Sequence, residues 1–205
     1  MQTLTALAAI AFAVPAFGQF VIFSTDEATF TGSLPSPVVE DFQDEVDGPL
    51  DQTVATPFNG FSLTANGTST FATDYEIDTE FFGSTNLELD LFLDNTGGFI
   101  PSVTFTFDQP VTNFGLLIDD IDFSGESTLD FLGSSVSLES LISDTDDEVF
   151  IGVNSSAEIS SFTLSVAAGE TDGLSIDNIV SQPVPEPASL GLLAAAGLGL
   201  IRRRR

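Results

Sequence analysis

The chain has no cysteine, no histidine and no tryptophan, a single tyrosine, and no lysine or arginine before residue 202. Each absence removes a class of chemistry. Without Cys or His there is no thiolate nucleophile, no imidazole base, no nitrogen- or sulfur-ligated zinc site and no disulfide framework. Without Lys or Arg in the body there is no phosphate-loop lysine, and nucleic-acid binding through phosphate neutralisation is excluded there. Against these gaps stand 31 acidic residues, 20 phenylalanines and a formal net charge of −27 in 205 residues. Length and a hydrophobic content of 42% fit one domain of ordinary size.

The two ends differ in character from the middle. Residues 1–18 begin with MQTLTALAAIAFAVPAF, an uncharged apolar run ending in small residues at Ala16 and Gly18. This is the pattern of a secretory signal helix cut near Gly18-Gln19, although its first residues carry no Lys or Arg. At the other end, Ala188–Ile201 is an apolar run of 14 residues between Pro183-Val184-Pro185-Glu186-Pro187 and Arg202, Arg203, Arg204 and Arg205. As a helix it would reach roughly 21 Å, less than the roughly 30 Å hydrocarbon core, so it spans a membrane only with help from snorkelling arginines and the flanking proline-rich residues. The arginines would hold the C-terminus on the cytoplasmic side.

The order Pro185-Glu186-Pro187, then a Gly- and Leu-rich hydrophobic helix, then a basic tail closely resembles the PEP-CTERM sorting signal of Gram-negative bacteria. The resemblance covers residues 183–205. It implies a processing partner, an exosortase of the inner membrane that cuts near the motif. It also implies a transient anchor at about 188–201 and a final cell-surface or extracellular location, in association with exopolysaccharide. It sets location rather than activity.

Between the ends, residues 19–182 are rich in Phe, Thr, Ser, Val, Asp and Gly, which favours strands and turns. Leu87-Glu88-Leu89-Asp90-Leu91-Phe92-Leu93, Val103-Thr104-Phe105-Thr106-Phe107, Val136-Ser137-Leu138 and Phe162-Thr163-Leu164-Ser165-Val166 alternate with period two. That period predicts antiparallel strands with one buried and one solvated face. Turns are expected at Asn66-Gly67, Thr96-Gly97-Gly98, Asp108-Gln109-Pro110, Ser124-Gly125 and Asp172-Gly173. No amphipathic stretch of helical period reaches 12 residues. The expected fold is all-β, a two-sheet antiparallel sandwich of jelly-roll type with phenylalanine filling most of its core, flanked by the N-terminal signal helix and the C-terminal hydrophobic helix. Val39-Glu40-Asp41-Phe42, Thr104-Phe105-Thr106-Phe107, Phe114-Gly115-Leu116 and Gly173-Leu174-Ser175-Ile176-Asp177-Asn178-Ile179 give the body a second resemblance. It is similar to the lectin-like or galactose-binding-like jelly rolls that commonly precede this sorting signal, whose first and last strands often lie together.

Residues 19–184 hold 30 acidic residues and no basic one, so every carboxylate must be hydrated, hydrogen-bonded or bound to a cation. Ca2+ is the cation such oxygen ligands suit. The candidate ligands fall in two groups. Asp120 and Asp122 belong to a D-x-D-x-S-G element ending at Ser124-Gly125, the first half of a calcium loop, but the position that should carry a bidentate Glu is Phe131; the alternative is an ordinary solvated turn. The jelly-roll resemblance implies that Glu40 and Asp41 near the first body strand meet Asp177 and Asn178 in the last one at a structural calcium; the alternative is caps and turns satisfied by backbone amides. A third run, Asp144-Thr145-Asp146-Asp147-Glu148, reads as a solvated acidic loop.

Carboxylate pairs are also what glycoside hydrolases use, but here carboxylates are too abundant to discriminate. With no Trp and only Tyr75 to stack on a sugar, and no base for a catalytic serine, the residues point away from an enzyme. The expected function is a non-enzymatic surface or matrix component, and the alternative is a calcium-dependent carbohydrate-binding module.

Overall fold

The computed structural model describes residues 10–11, 20–24, 26–69, 71, 75–78, 87–96, 100–121, 127–141 and 149–185. Three long strands organise them. β9 (Ser102–Ile121), β12 (Val149–Val166) and β13 (Thr171–Pro183) run antiparallel, with β9 pairing with both of the others. Beyond the first half of β12 lie β2 (Phe20–Ser24) and then β1 (Ile10–Ala11). The second half of β12 pairs with β10 (Ser127–Phe131), and β10 with β11 (Ser134–Ser137). β6 (Phe61–Ala65) pairs with the first part of β9 and with β5 (Thr56–Phe58). Along the free side of β13 lie β8 (Glu88–Asp94) and β3 (Val38–Glu40). β7 (Tyr75–Asp78) and β4 (Gly48–Pro49) continue outward from β8.

These pairings join the thirteen strands of the described residues into one antiparallel sheet, where the alternation alone suggested two. The reason lies in β9 and β12, 20 and 18 residues long, which pass through register shifts between Asn154 and Ser161 instead of breaking. Such irregularities bend a strand while the ladder continues on either side. The expected turn at Asp108-Gln109-Pro110 falls in this stretch and is exposed strand, not a chain reversal. Asp172-Gly173, also expected as a turn, is buried inside β13; the reversal before it is made by Ala167–Glu170, with Gly169 at φ +89°. Between β10 and β11 the two-residue turn is Leu132-Gly133, both at positive φ (50° and 73°), as a hairpin of this length requires.

Phenylalanine fills the main core, as its abundance implied. Phe162 of β12 stacks on Phe105 and Phe114 with ring centroids 4.4 and 4.7 Å away, and Phe114 meets Phe131 edge to face at 5.7 Å. Phe105 and Phe114 lie on opposite sides of the bend in β9, so one ring of β12 holds both arms.

A smaller core covers the other face of the central strands. α1 (Glu27–Ser33), too short to register as an amphipathic period, starts at the N-cap Asp26, whose carboxylate accepts from the Thr29 amide at 2.8 Å. Its Phe30 packs with Leu117, Phe150 and Val180. Gly115 makes this packing achievable: a Cβ there would stand 2.2 Å from Cζ of Phe150. The Ile10–Ala11 segment of the expected signal helix is instead extended and pairs with the open edge of β2, which offers it unpaired backbone groups. The other residues of that segment, and the expected C-terminal helix, lie outside the described residues.

Gly115→Ala should therefore displace the Phe150 ring and lower stability by about 2 kcal/mol, in the range for overpacked cores. Thermal or urea denaturation of the variant checks this, and an unchanged midpoint would mean that the ring moves aside at no cost.

Candidate functional site

The candidate site is the set of carboxylates that the sheet buries. Alternation in β8 predicted that its acidic residues would face water. Leu89, Leu91 and Leu93 do enter the core, but Glu88, Asp90 and Asp94 are buried too, at 4%, 2% and 6% exposure. Period two identifies two faces without telling which of them is covered, and here both are. With no cation in the body, these groups draw on hydroxyls and amides. Asp94 accepts from the Thr96 amide at 2.7 Å, and the fully buried Asp172 accepts from the Ser127 hydroxyl. On the half-exposed face of β10, Asp130 accepts from Ser165 and Thr128 at 2.7 and 3.1 Å.

Glu40, an expected metal ligand, is used in the same way. β3 pairs with the last strand, β13, so that Glu40 stands opposite Ile179. Its two carboxylate oxygens accept from the amides of Phe42 and Asn59, each at 2.8 Å. Phe42 sits at φ +55°, a strained conformation for a bulky residue, and its ring is fully buried edge to face with Phe58. Glu40 thus positions a tight turn. Asp41 is exposed and accepts from the Gln43 amide. Asp177 occupies a register shift of β13 against β9, and its neighbour Asn178 donates to Glu27 at 3.3 Å. Asp120 lies in β9 opposite Ser175. Asp122 and the run from Asp144 to Glu148 lie outside the described residues. Among the described residues no group of three or more carboxylates is gathered as a ready-made metal cage.

One cluster went unrecognised as a unit. β7 and β8 pair so that Glu76 faces Asp90 and Asp78 faces Glu88. On the other side of β8, Ser175 of β13 pairs with Asp90 and donates its hydroxyl to Glu88 Oε2. Glu76 is also buried, at 7% exposure. Asp90 is the poorly served member: its Oδ1 is buried with no hydrogen-bond partner among the described residues. Burial pushes its pKa up to about 7; the Ser175 hydroxyl pulls the other way, and the charges of Glu88, Asp78 and Glu76 push further up. The sequence held a signal for this site, because Glu76-Ile77-Asp78 and Glu88-Leu89-Asp90 share one acidic-apolar alternation and can pair face to face.

At the C-terminal end, β13 stops at Pro183, the Val184 amide donates to the Pro110 carbonyl at 2.8 Å, and Pro185 is exposed. Residues 183–205 match the family model described as the PEP-CTERM protein-sorting motif, so the sorting signal begins where the last strand ends. Glu186, Pro187, the hydrophobic run and the four arginines lie outside the described residues. Among the described residues no helix is long and apolar enough to cross a membrane. No curated protein matches the chain. Among solved structures, the catalytic domain of a GH87 alpha-1,3-glucanase variant in complex with tetrasaccharides is similar over 69% of this chain, at 15% identity and a TM-score of 0.34. The chain spans 30% of that structure's length.

Asp90 gives the folded protein a pH dependence of definite sign. Its pKa is higher folded than unfolded, so the stability linked to its proton is full below the ordinary carboxylate range and is lost as pH rises through about 7. In metal-free buffer the thermal midpoint should fall between pH 5 and pH 8, and Asp90→Asn should flatten that fall. An equal slope in wild type and variant would show that Asp90 ionises without cost.

Proposed function

We propose that this chain is an exported, non-enzymatic surface or matrix component, delivered by an exosortase that processes its C-terminal PEP-CTERM signal. The observation that carries this reading is the match at residues 183–205, which starts at the final residue of β13. The family description makes the segment a sorting motif, and its position suits processing. A cut near Pro185-Glu186-Pro187 would fall past the last ladder pair, Pro183 with Val111, and release the body without unpairing a strand.

For the body, we read the single sheet as folded over its phenylalanine core into a sandwich-like module. The stack of Phe162 on Phe105 and Phe114 across the bend in β9 supports this. The non-enzymatic part of the reading is supported by how the described carboxylates are used. Glu40, Asp94 and Asp172 are spent as acceptors that hold turns and strands together. The chain also offers no histidine, no cysteine and, before residue 202, no lysine as a catalytic partner. A highly anionic module of this kind would resist self-association and interact with surface polysaccharide through hydration and bridging divalent ions.

The sorting step is tested in cells that carry the exosortase. Glu186→Ala, or removal of Arg202–Arg205, should leave full-length protein in the inner membrane and sharply reduce the processed surface form, as read by fractionation and immunoblotting. Undiminished surface display of both variants would contradict the reading.

A further inference from the structure

We infer that the buried acidic face shared by β7, β8 and β13 is a divalent-cation site of calcium type. The carboxylates of Asp90 and Glu88 and the hydroxyl of Ser175 would be its ligands, with the charges of Glu76 and Asp78 drawing the ion in. The inference stands independently of the surface-protein reading and concerns none of the ligands expected from sequence.

The geometry demands something positive there. Four carboxylates form two directly facing pairs, Glu76 with Asp90 and Asp78 with Glu88, on adjacent strands, and three of the four are nearly inaccessible to bulk water. Facing like charges on paired strands destabilise the pairing. Elsewhere the sheet gives its buried carboxylates donors: two amides for Glu40, an amide for Asp94, a hydroxyl for Asp172. Ser175 stands beside both Glu88 and Asp90 and donates to Glu88 Oε2, and its pull on Asp90 leaves Oδ1 unserved. Asp90 Oδ1 is left buried and without a partner among the described residues, a costly state for an acceptor.

Three species could relieve it. A cationic side chain from the body is excluded by composition, since Lys, Arg and His are all absent before residue 202. A proton on Asp90 satisfies one oxygen and cancels one charge, leaving Asp78 still facing Glu88. A divalent cation cancels two charges, and it accepts Oδ1 of Asp90, Glu88 and the Ser175 lone pairs together. Calcium fits the donor set best. It takes carboxylate and hydroxyl oxygens in flexible geometry, whereas Mg2+ keeps several waters in a strict octahedron and Zn2+ selects nitrogen and sulfur. The raised pKa of Asp90 agrees, because the forces that disfavour its bare charge are those a bound cation would offset.

The chain carries its own reporter. Tyr75, its single tyrosine in the absence of tryptophan, precedes Glu76 on β7 with its ring on the core face opposite Leu91, so terbium bound at the acidic face should be excited from across the thickness of the sheet. Full-length protein in detergent should show saturable tyrosine-sensitised terbium emission that Ca2+ displaces and equimolar Mg2+ does not. Its thermal midpoint should rise by several degrees at about a hundredfold excess of Ca2+ over Kd. Asp90→Asn should lose both responses while melting above metal-free wild type at pH 8, and Glu88→Gln should weaken both. No sensitised emission from the wild type would overturn the inference, whether or not the variants fold. So would equal stabilisation by Ca2+, Mg2+ and matched monovalent salt, which would leave the proton as the occupant. An undiminished Ca2+ response in Asp90→Asn would also overturn it.

Discussion

A body with thirty carboxylates and no cationic side chain cannot use ion pairs, and much of its local structure follows from that constraint. Repulsion among the acidic groups opposes compaction, so each buried carboxylate has to be matched by neutral donors. The abundant Ser, Thr and backbone amides supply them to Glu40, Asp94 and Asp172, while Asp90 Oδ1 has none among the described residues. Asp26 caps α1, Glu40 holds the strained turn at Phe42, Asp94 fixes the end of β8, and Asp172 is secured by Ser127. Hydrogen bonds to charged acceptors are stronger than neutral ones, typically worth about 1.5–3 kcal/mol each. A body without cationic side chains can therefore bury carboxylates, provided the donors are in register.

What offsets the repulsion is apolar burial of an aromatic kind. The long strands β9 and β12 bend together through their register shifts, and the Phe105, Phe114 and Phe162 rings meet across that bend. Phenylalanine brings a large buried area with no polar atom to satisfy, which suits a core whose margins are already crowded with acceptors. On the opposite face Gly115 lets Phe150 lie against the backbone of β9, and helix α1 closes over it through Phe30.

Strand content was legible in the sequence wherever period-two alternation was strong, as at Leu87–Leu93, Val103–Phe107 and Phe162–Val166. Those windows lie in β8, β9 and β12. Three things were not legible. Local turn propensity at Asp172-Gly173 was overridden by pairing with β8, which local rules do not see, and Asp108-Gln109-Pro110 falls in the register shift of β9 against β12, where the strand continues without reversing. The seven-residue α1 was too short for a period. Above all, alternation could not say that the acidic side of β8 is covered, so Glu88 and Asp90 looked like solvated residues. Of the ligands expected from sequence, Glu40 accepts from two backbone amides and Asp122 lies outside the described residues, while the register brought out the facing pairs Glu76–Asp90 and Asp78–Glu88. The C-terminal signal needed no folding to be read, because its three parts are contiguous.

The dependence of stability on monovalent salt tests the uncompensated charge most directly. Thermal midpoints of chelator-treated protein should be measured at neutral pH from about 0.01 to 0.2 M NaCl, over which the Debye length shrinks from about 30 Å to under about 10 Å. With only like charges in the body there are no attractive pairs to screen, so the midpoint should rise steadily with salt. A flat or falling midpoint would contradict the premise that repulsion among the carboxylates is the dominant electrostatic force in the folded protein.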